Sequence, residues 1–400
     1  MLASKLKYTV LYLTLESYEK QPILKSQVLP LLNAITSLSK DLNTEIQFIL
    51  TTKDVDTVKI DPTYPITHVK ISNGKFLLGP VLLFFKLFKL GKSCDLIHVR
   101  SYLPMITALL LKLFYRKGII FDLRGVFPEE IALRKRSKFW FVFFKKAEAI
   151  FCKYADVLVV VSKKFMQHIQ TIYPKQHAKL VVIPTFAKPA PPPDTAIDNI
   201  ISLKKEYFKD AHVTIFAYSG AFEKWQCVNE VFDFFEEISK LYSKYRFAIF
   251  SHHAELFKSL AQSRKINMDL YYINYIENKS LAQYISQCDA GVLFRKNTLI
   301  NRVAAPIKFT DYLTSGLLVI ISADIGDSSD LVQKFDLGYI TENLKQESIQ
   351  KLAVTVHTDL KIKTQKIHER IKKALDEIDI SKAAEKYLTL YLKQINKVQE

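Results

Sequence analysis

The chain has only four cysteines in 400 residues, Cys94, Cys152, Cys227 and Cys288, and no two form a CxxC pair. That spacing excludes a zinc ribbon and a disulfide framework and fits a reducing cytoplasm. Long hydrophobic runs are missing as well. The longest uncharged apolar stretch, Phe76–Phe85, has ten residues, against the about 20 that a bilayer span needs, so no transmembrane helix is expected. Met1–Lys7 runs straight into the strand-like Tyr8–Leu15, so no secretory signal is expected. Neither the GxxxxGK of a Walker loop nor a GxGxxG fingerprint occurs. Acidic residues are scarce in one half: residues 1–190 hold 13 Asp and Glu against 29 Lys and Arg, whereas the remainder holds 27 against 28. The basic half calls for a polyanionic partner, for which nucleic acid, an anionic membrane and a phosphorylated lipid all qualify.

What is present is the composition of a folded chain, 49% hydrophobic and 24% charged, long enough for two domains of roughly 150–200 residues. The one proline-rich break, Lys188–Asp194 (KPAPPPD), is a stiff spacer that can join neither a helix nor a central strand. It sets the expected division: a first domain over residues 1–187, a linker over 188–198 and a second domain over 199–375. Before the break, β-rich runs alternate with helical stretches at Tyr8–Leu15, Glu45–Leu50, Leu96–Val99, Ile119–Asp122, Val157–Ser162 and Leu180–Pro184. After it the rhythm resumes at Val213–Ser219, Arg246–Ser251, Leu270–Tyr275, Ala290–Arg295 and Leu317–Ser322. Continuous apolar strands separated by helices predict parallel sheets covered on both faces, hence two doubly wound α/β domains facing a central cleft.

Such sheets bind ligands beyond the carboxyl ends of their strands. The polar residues there are His98 and Arg100, Asp122 and Arg124, and Ser162 and Lys163 in the first domain, and Ser219, Gly220 and Arg295 in the second. Tyr218–Lys224 (YSGAFEK) passes from a strand into an amphipathic helix; a small-residue turn opening a helix presents N–H groups to an anion, and Lys224 adds a charge. An ordinary βα turn is the bland alternative. Ala304–Gly316 (AAPIKFTDYLTSG) is sharper. Pro306 suits the first helical position and Gly316 the stop. Between them Lys308 and Asp311 share one face, placing a cation near a helix N-terminus, where it is unfavourable unless it serves an anion. A surface ion pair is the alternative. No metal site is expected: Asp54-Val55-Asp56 sits in a polar stretch and reads as a solvated loop.

The segments Leu77–Lys92 and Ile131–Tyr154 interleave basic residues with bulky apolar ones; the second holds seven Lys and Arg and one Glu. That mixture suits an interfacial membrane contact, with a core helix bearing a solvated cationic face as the alternative. Nucleic acid competes for the same charge, but no RRM, helix-turn-helix or zinc pattern is present.

Taken in order, several segments carry a resemblance: Pro22–Leu32 (PILKSQVLPLL), Asp95–Pro104 (DLIHVRSYLP), Ile119–Glu130 (IIFDLRGVFPEE), Tyr154–Phe165 (YADVLVVVSKKF), Val181–Thr185 (VVIPT), Tyr218–Gln226 (YSGAFEKWQ) and Ala305–Ile320 (APIKFTDYLTSGLLVI). Together they resemble a glycosyltransferase of the GT-B fold, similar to the GT4 family of retaining nucleotide-sugar transferases. The resemblance implies two Rossmann-like domains and a nucleotide-diphosphate sugar held by the second, through Ser219, Gly220, Lys224, Arg295, Lys308 and Asp311. It implies an acceptor side formed by Arg100, Asp122 and Glu130, and catalytic roles for His98, Arg124 and Lys308. It also implies no metal or other cofactor, a helix over residues 376–400 that returns to the first domain, and a lipid-linked or glycan acceptor at the cytoplasmic face of a membrane. The chain departs from the family at Val303, where the first Glu of an E-x7-E motif is expected, at Asp311 in place of the second, and at Glu16-Ser17-Tyr18, where a Gly pair is usual. Those departures keep two other readings open: a non-catalytic GT-B-like binding component, and a nucleotide-sugar epimerase.

Overall fold

The computed structural model describes residues 6–18, 23–53, 66–70, 78–135, 137–187, 200–365 and 367–399. The linker 188–198 and Asp54-Val55-Asp56 lie outside the described residues, as does the side chain of Lys224. The chain divides into two compact units, one of residues 1–186 with 380–400, the other of residues 187–379.

The first unit is a parallel sheet of seven strands: β1 (Leu6–Leu13), β2 (Thr44–Thr52), β3 (Ile66–Lys70), β4 (Leu96–Arg100), β5 (Gly118–Leu123), β6 (Val157–Val160) and β7 (Leu180–Val182), in the order β3-β2-β1-β4-β5-β6-β7. β4, β5 and β6 are buried at every residue, as strands covered by helices on both faces must be. The helix Ile380–Gln399 belongs to this unit. It packs along the helix Leu29–Asp41 and buries Ala384, Tyr387, Tyr391 and Ile395 among Val10, Phe48 and Leu96.

The second unit is a parallel sheet of six strands, β8 (Thr214–Ser219), β9 (Tyr245–Phe250), β10 (Tyr271–Asn274), β11 (Ala290–Leu293), β12 (Leu318–Ser322) and β13 (Gly338–Thr341), in the order β10-β9-β8-β11-β12-β13. In each sheet the winding reverses once, between β1 and β4 and between β8 and β11, and such switch points are where doubly wound sheets open a crevice at their carboxyl ends. β3 and β13 add an edge strand to each sheet beyond the runs read from sequence. Both are short, as edge strands often are.

Two local expectations are corrected. Pro306 is the N-cap, and the helix Ile307–Thr314 starts one residue later. It closes as expected at Gly316, with φ of +82°, where Gly316 N–H bonds Leu313 C=O and Leu317 N–H bonds Tyr312 C=O in a Schellman stop. The turn after β8 does not open directly into the amphipathic helix. A single 3-10 turn, Lys224–Gln226, and a left-handed Cys227 (φ +51°) precede the helix Val228–Ser239, so that helix's N-terminus is not at Gly220.

Candidate functional site

In the second unit the switch point gathers Gly220, Gln226, Arg295 and Lys308 around the ring of Tyr218. The Lys308 ammonium lies 4.7 Å from the Tyr218 ring centroid and donates to Gln226 Oε1, which also accepts from the Tyr218 hydroxyl at 2.9 Å. Gly220 (φ +156°) passes so close that a Cβ there would overlap Lys308 Nζ. Neither Lys308 nor Arg295 pairs with a carboxylate among the described residues. Burial, reinforced by Arg295, holds the Lys308 ammonium well below the usual lysine range, with Asp311 opposing. Burial likewise lowers Arg295. Two half-buried cations with no carboxylate bonded to either, and only Asp311 nearby to offset the charge on Lys308, favour an incoming anion.

The surrounding groups are fixed by backbone. Ser219 N–H donates at 3.0 Å to the Tyr312 hydroxyl, which donates to Val292 C=O at 3.2 Å, so one side chain ties the tips of β8 and β11. Ser322 Oγ accepts from Arg295 N–H and donates to Arg295 C=O, both at 2.8 Å, and anchors Arg295 to β12. Asp311 is half-buried one turn beyond Lys308. Beside this cluster the tips of β9 and β10 line a cavity of about 490 Å³ with His252, His253, Glu255, Leu256, Asn274 and Tyr275. Phe222 N–H donates to His253 Nδ1 at 3.0 Å and joins the cavity wall to the Gly220 loop.

In the first unit, His98, Arg100, Asp122 and Arg124 also come together. Asp122 is fully buried. Its Oδ2 accepts from Arg124 Nε at 2.9 Å, Arg124 Nη2 at 2.6 Å and the Tyr387 hydroxyl at 3.2 Å, with Arg100 Nη1 at 3.8 Å. Burial alone would raise this carboxyl, but Arg124, His98 and Arg100 outweigh it and hold Asp122 well below the usual carboxylate range. Arg100 also donates from Nε to Glu16 Oε1 at 3.1 Å. His98 has no exposed surface; its Nδ1 shares a 2.6 Å hydrogen bond with the Tyr391 hydroxyl, and its Nε2 stands 3.6 Å from Asp122 Oδ2. This geometry makes His98 a buried member of the network, braced by the helix Ile380–Gln399. Glu130 is not bonded into it. Its carboxylate rests against Gly125 and burial raises its pKa.

The His98 environment sets a pH dependence. Burial, opposed by Asp122, lowers the imidazole pKa, so folding keeps the ring neutral while the unfolded chain takes up a proton below about pH 6.5. Stability from this site is complete above that pH and is lost as pH falls. Denaturant midpoints for the first unit are expected to decline below about pH 6.5, and His98→Asn is expected to flatten that decline; an unchanged slope would show that His98 is not its source.

Gln226, Tyr218, Tyr312, Tyr387 and Tyr391 are site or bracing residues that strand-end reasoning missed. The one available signal was position: Tyr218 and Tyr312 adjoin Ser219 and Asp311, and Tyr387 and Tyr391 are one turn apart on a helix. Among the described residues, no cluster of three or more His, Cys, Asp or Glu is placed to hold a metal ion.

Two family profiles match the chain in tandem: Glycosyltransferase Family 4 over residues 45–190 and Glycosyl transferases group 1 over residues 199–375. No curated protein sequence matches it. Among solved structures it is similar to a glycosyltransferase from Rickettsia africae ESF-5, with TM-score 0.72 and 16% identity over 97% of this chain and 99% of that one. Anabaena Alr3699/HepE in complex with UDP-glucose aligns with TM-score 0.67 and 12% identity over 96% and 99%. WaaG, a glycosyltransferase involved in lipopolysaccharide biosynthesis, aligns with TM-score 0.66 and 12% identity over 96% and 99%. The tandem profiles and the two parallel sheets agree: the chain belongs to the GT4-like glycosyltransferases of the GT-B fold.

Proposed function

We propose that the protein moves a hexosyl group, with retention and without a metal, from a nucleoside-diphosphate sugar to a lipid-linked or glycan acceptor at the cytoplasmic face of an anionic membrane. The observation that carries the donor assignment is the pair of half-buried cations, Lys308 and Arg295, with no carboxylate bonded to either, at the Gly220 turn. A diphosphate supplies the missing counterion, and the adjoining cavity lined by His252 and Tyr275 is large enough for a nucleoside. Likeness to the UDP-glucose complex of HepE supports this class of donor.

The chemistry follows from charge. As the anomeric C–O bond breaks, positive charge grows on the sugar and negative charge on the departing diphosphate. Lys308 and Arg295 are preorganised to receive that negative charge in a poorly solvated site. Asp311, one turn away, is available to accept hydrogen bonds from sugar hydroxyls.

The test is calorimetric titration and thermal shift with UDP, GDP, ADP and UDP-glucose. A nucleoside diphosphate is expected to raise the melting temperature of the second unit. Because an anion favours the protonated ammonium, binding should take up a proton and weaken as pH rises through the depressed pKa of Lys308. Absence of any response to the whole panel would defeat the donor assignment.

A further inference from the structure

The helix Leu78–Ser93 is apolar on two faces. One face packs inward through Leu83, Phe84 and Leu87. The other shows Leu78, Val81, Leu82, Phe85 and Phe88 to solvent, with Phe85 69% exposed. A surface helix of a monomer normally turns a polar face outward. The exposed stripe continues onto the end of the helix Leu103–Tyr115: the Phe114 ring lies 5.5 Å from both Phe84 and Phe88, and Phe88 lies 5.0 Å from Tyr115. There Leu113 is 75% and Phe114 58% exposed. Contiguous exposed apolar surface of this kind marks an interaction site.

The charge on the same surface identifies its partner. Lys89, Lys92 and Arg116 are exposed beside these aromatics. The helix Lys138–Tyr154, which packs against Leu103–Tyr115, repeats the pattern with exposed Phe139, Phe143, Lys138 and Lys146. Across the three helices the only carboxylate is Glu148, which is fully buried and bonded to Lys145, Tyr102 and Tyr173. The outward surface therefore carries apolar and cationic groups and no anion. A second copy of the chain would set two such cationic surfaces face to face. A bilayer with anionic headgroups complements both components at once, taking aromatic side chains at the acyl boundary while lysine and arginine stems reach to the phosphates.

We propose that this surface seats the protein on an anionic lipid bilayer, with the exposed stripe of Leu78–Ser93 and the Leu113–Phe114 tip as its inserting element and Lys89, Lys92 and Arg116 in the headgroup layer. It deepens the reading of a membrane-side acceptor, on which it rests, by naming the contact, including a helix end not singled out from sequence.

The full chain is sedimented with phosphatidylcholine vesicles with and without phosphatidylglycerol. Binding is expected to require the anionic lipid, to weaken with salt, and to fall roughly fivefold for each of Lys89, Lys92 and Arg116 changed to Ser. F85S/F114S is expected to abolish the binding that survives at high salt while the melting temperature and the response to UDP stay unchanged. Sedimentation unaffected by F85S/F114S would overturn the proposal, as would RNA binding without vesicle binding, or a dimer that F85S/F114S dissociates. If vesicle binding fails while UDP still stabilises the protein, this surface alone is misassigned. If UDP fails while vesicle binding holds, the donor site is misassigned instead.

Discussion

Lys308→Ala is expected to lower sugar transfer by about 10²-fold or more, the loss typical of removing one preorganised donor to developing charge, while leaving the fold as stable as before or more so. The two effects oppose each other for one reason. In the ligand-free protein the Lys308 ammonium is half-buried and repelled by Arg295, with Asp311 offsetting only part of that cost, and it is bonded to the Gln226 amide oxygen beside the Tyr218 ring face. Burying a charge without a counterion is unfavourable, and its removal relieves that penalty. The Tyr218 hydroxyl remains bonded to Gln226 after the substitution, so the loop keeps its support. Under the proposed donor assignment a bound diphosphate makes the ammonium favourable, and the variant would lose that contact when charge builds on the leaving group. Single-turnover rates with a radiolabelled donor and a membrane extract give the first number, and thermal unfolding without ligand gives the second. Near-wild-type turnover would remove Lys308 from the chemistry. Lost turnover together with a much lower melting temperature would make its role structural.

Asp122→Asn is expected to destabilise the first unit by about 3–5 kcal/mol, because it breaks a buried ion pair from one side only. Asp122 accepts both Arg124 contacts on the same oxygen and is the nearest carboxylate to that guanidinium. Without the charge, Arg124 is left with neutral acceptors, the amide oxygen at position 122 and the Tyr387 hydroxyl at 3.3 Å. For a unit of this size the loss corresponds to a fall in melting temperature on the order of 10 °C. The double variant Asp122→Asn with Arg124→Met is expected to recover part of it, since no unpaired cation is left behind. The measurement must follow the two units separately, because a two-unit chain need not unfold in one step; a nucleotide that stabilises the second unit distinguishes the transitions. A change of less than about 1 kcal/mol would show that the Asp122–Arg124 pair contributes little.

Most of the fold was legible because its strands are continuous apolar runs between helical stretches, a pattern that parallel sheets require. The exceptions are instructive. Gly338–Thr341 opens on a glycine, which argues against a strand in isolation; it is one because Gly338 registers against Val319 at the sheet edge, which no local pattern encodes. In the site, Lys308 was legible because Pro306 and Gly316 bracket its helix. Gln226 was not, since it ends a single 3-10 turn just before a left-handed Cys227, a break that the residue types do not announce. The bond between His98 and Tyr391 spans 293 positions of sequence. The return of a C-terminal helix was legible by family resemblance, but which of its side chains would meet β4 and β5 depends on the depth and rotation of its packing.

That returning helix bears on how the protein is made. A ribosome usually releases N-terminal domains able to fold as they emerge. Here the second unit is complete in sequence by Asp379, whereas the first still lacks Ala384, Tyr387, Tyr391 and Ile395 from its core. The half synthesised first must therefore finish last, holding open an apolar groove beside Val10 and Phe48 until residues 380–399 arrive, and a chain cut after residue 379 would be left in that unfinished, aggregation-prone state.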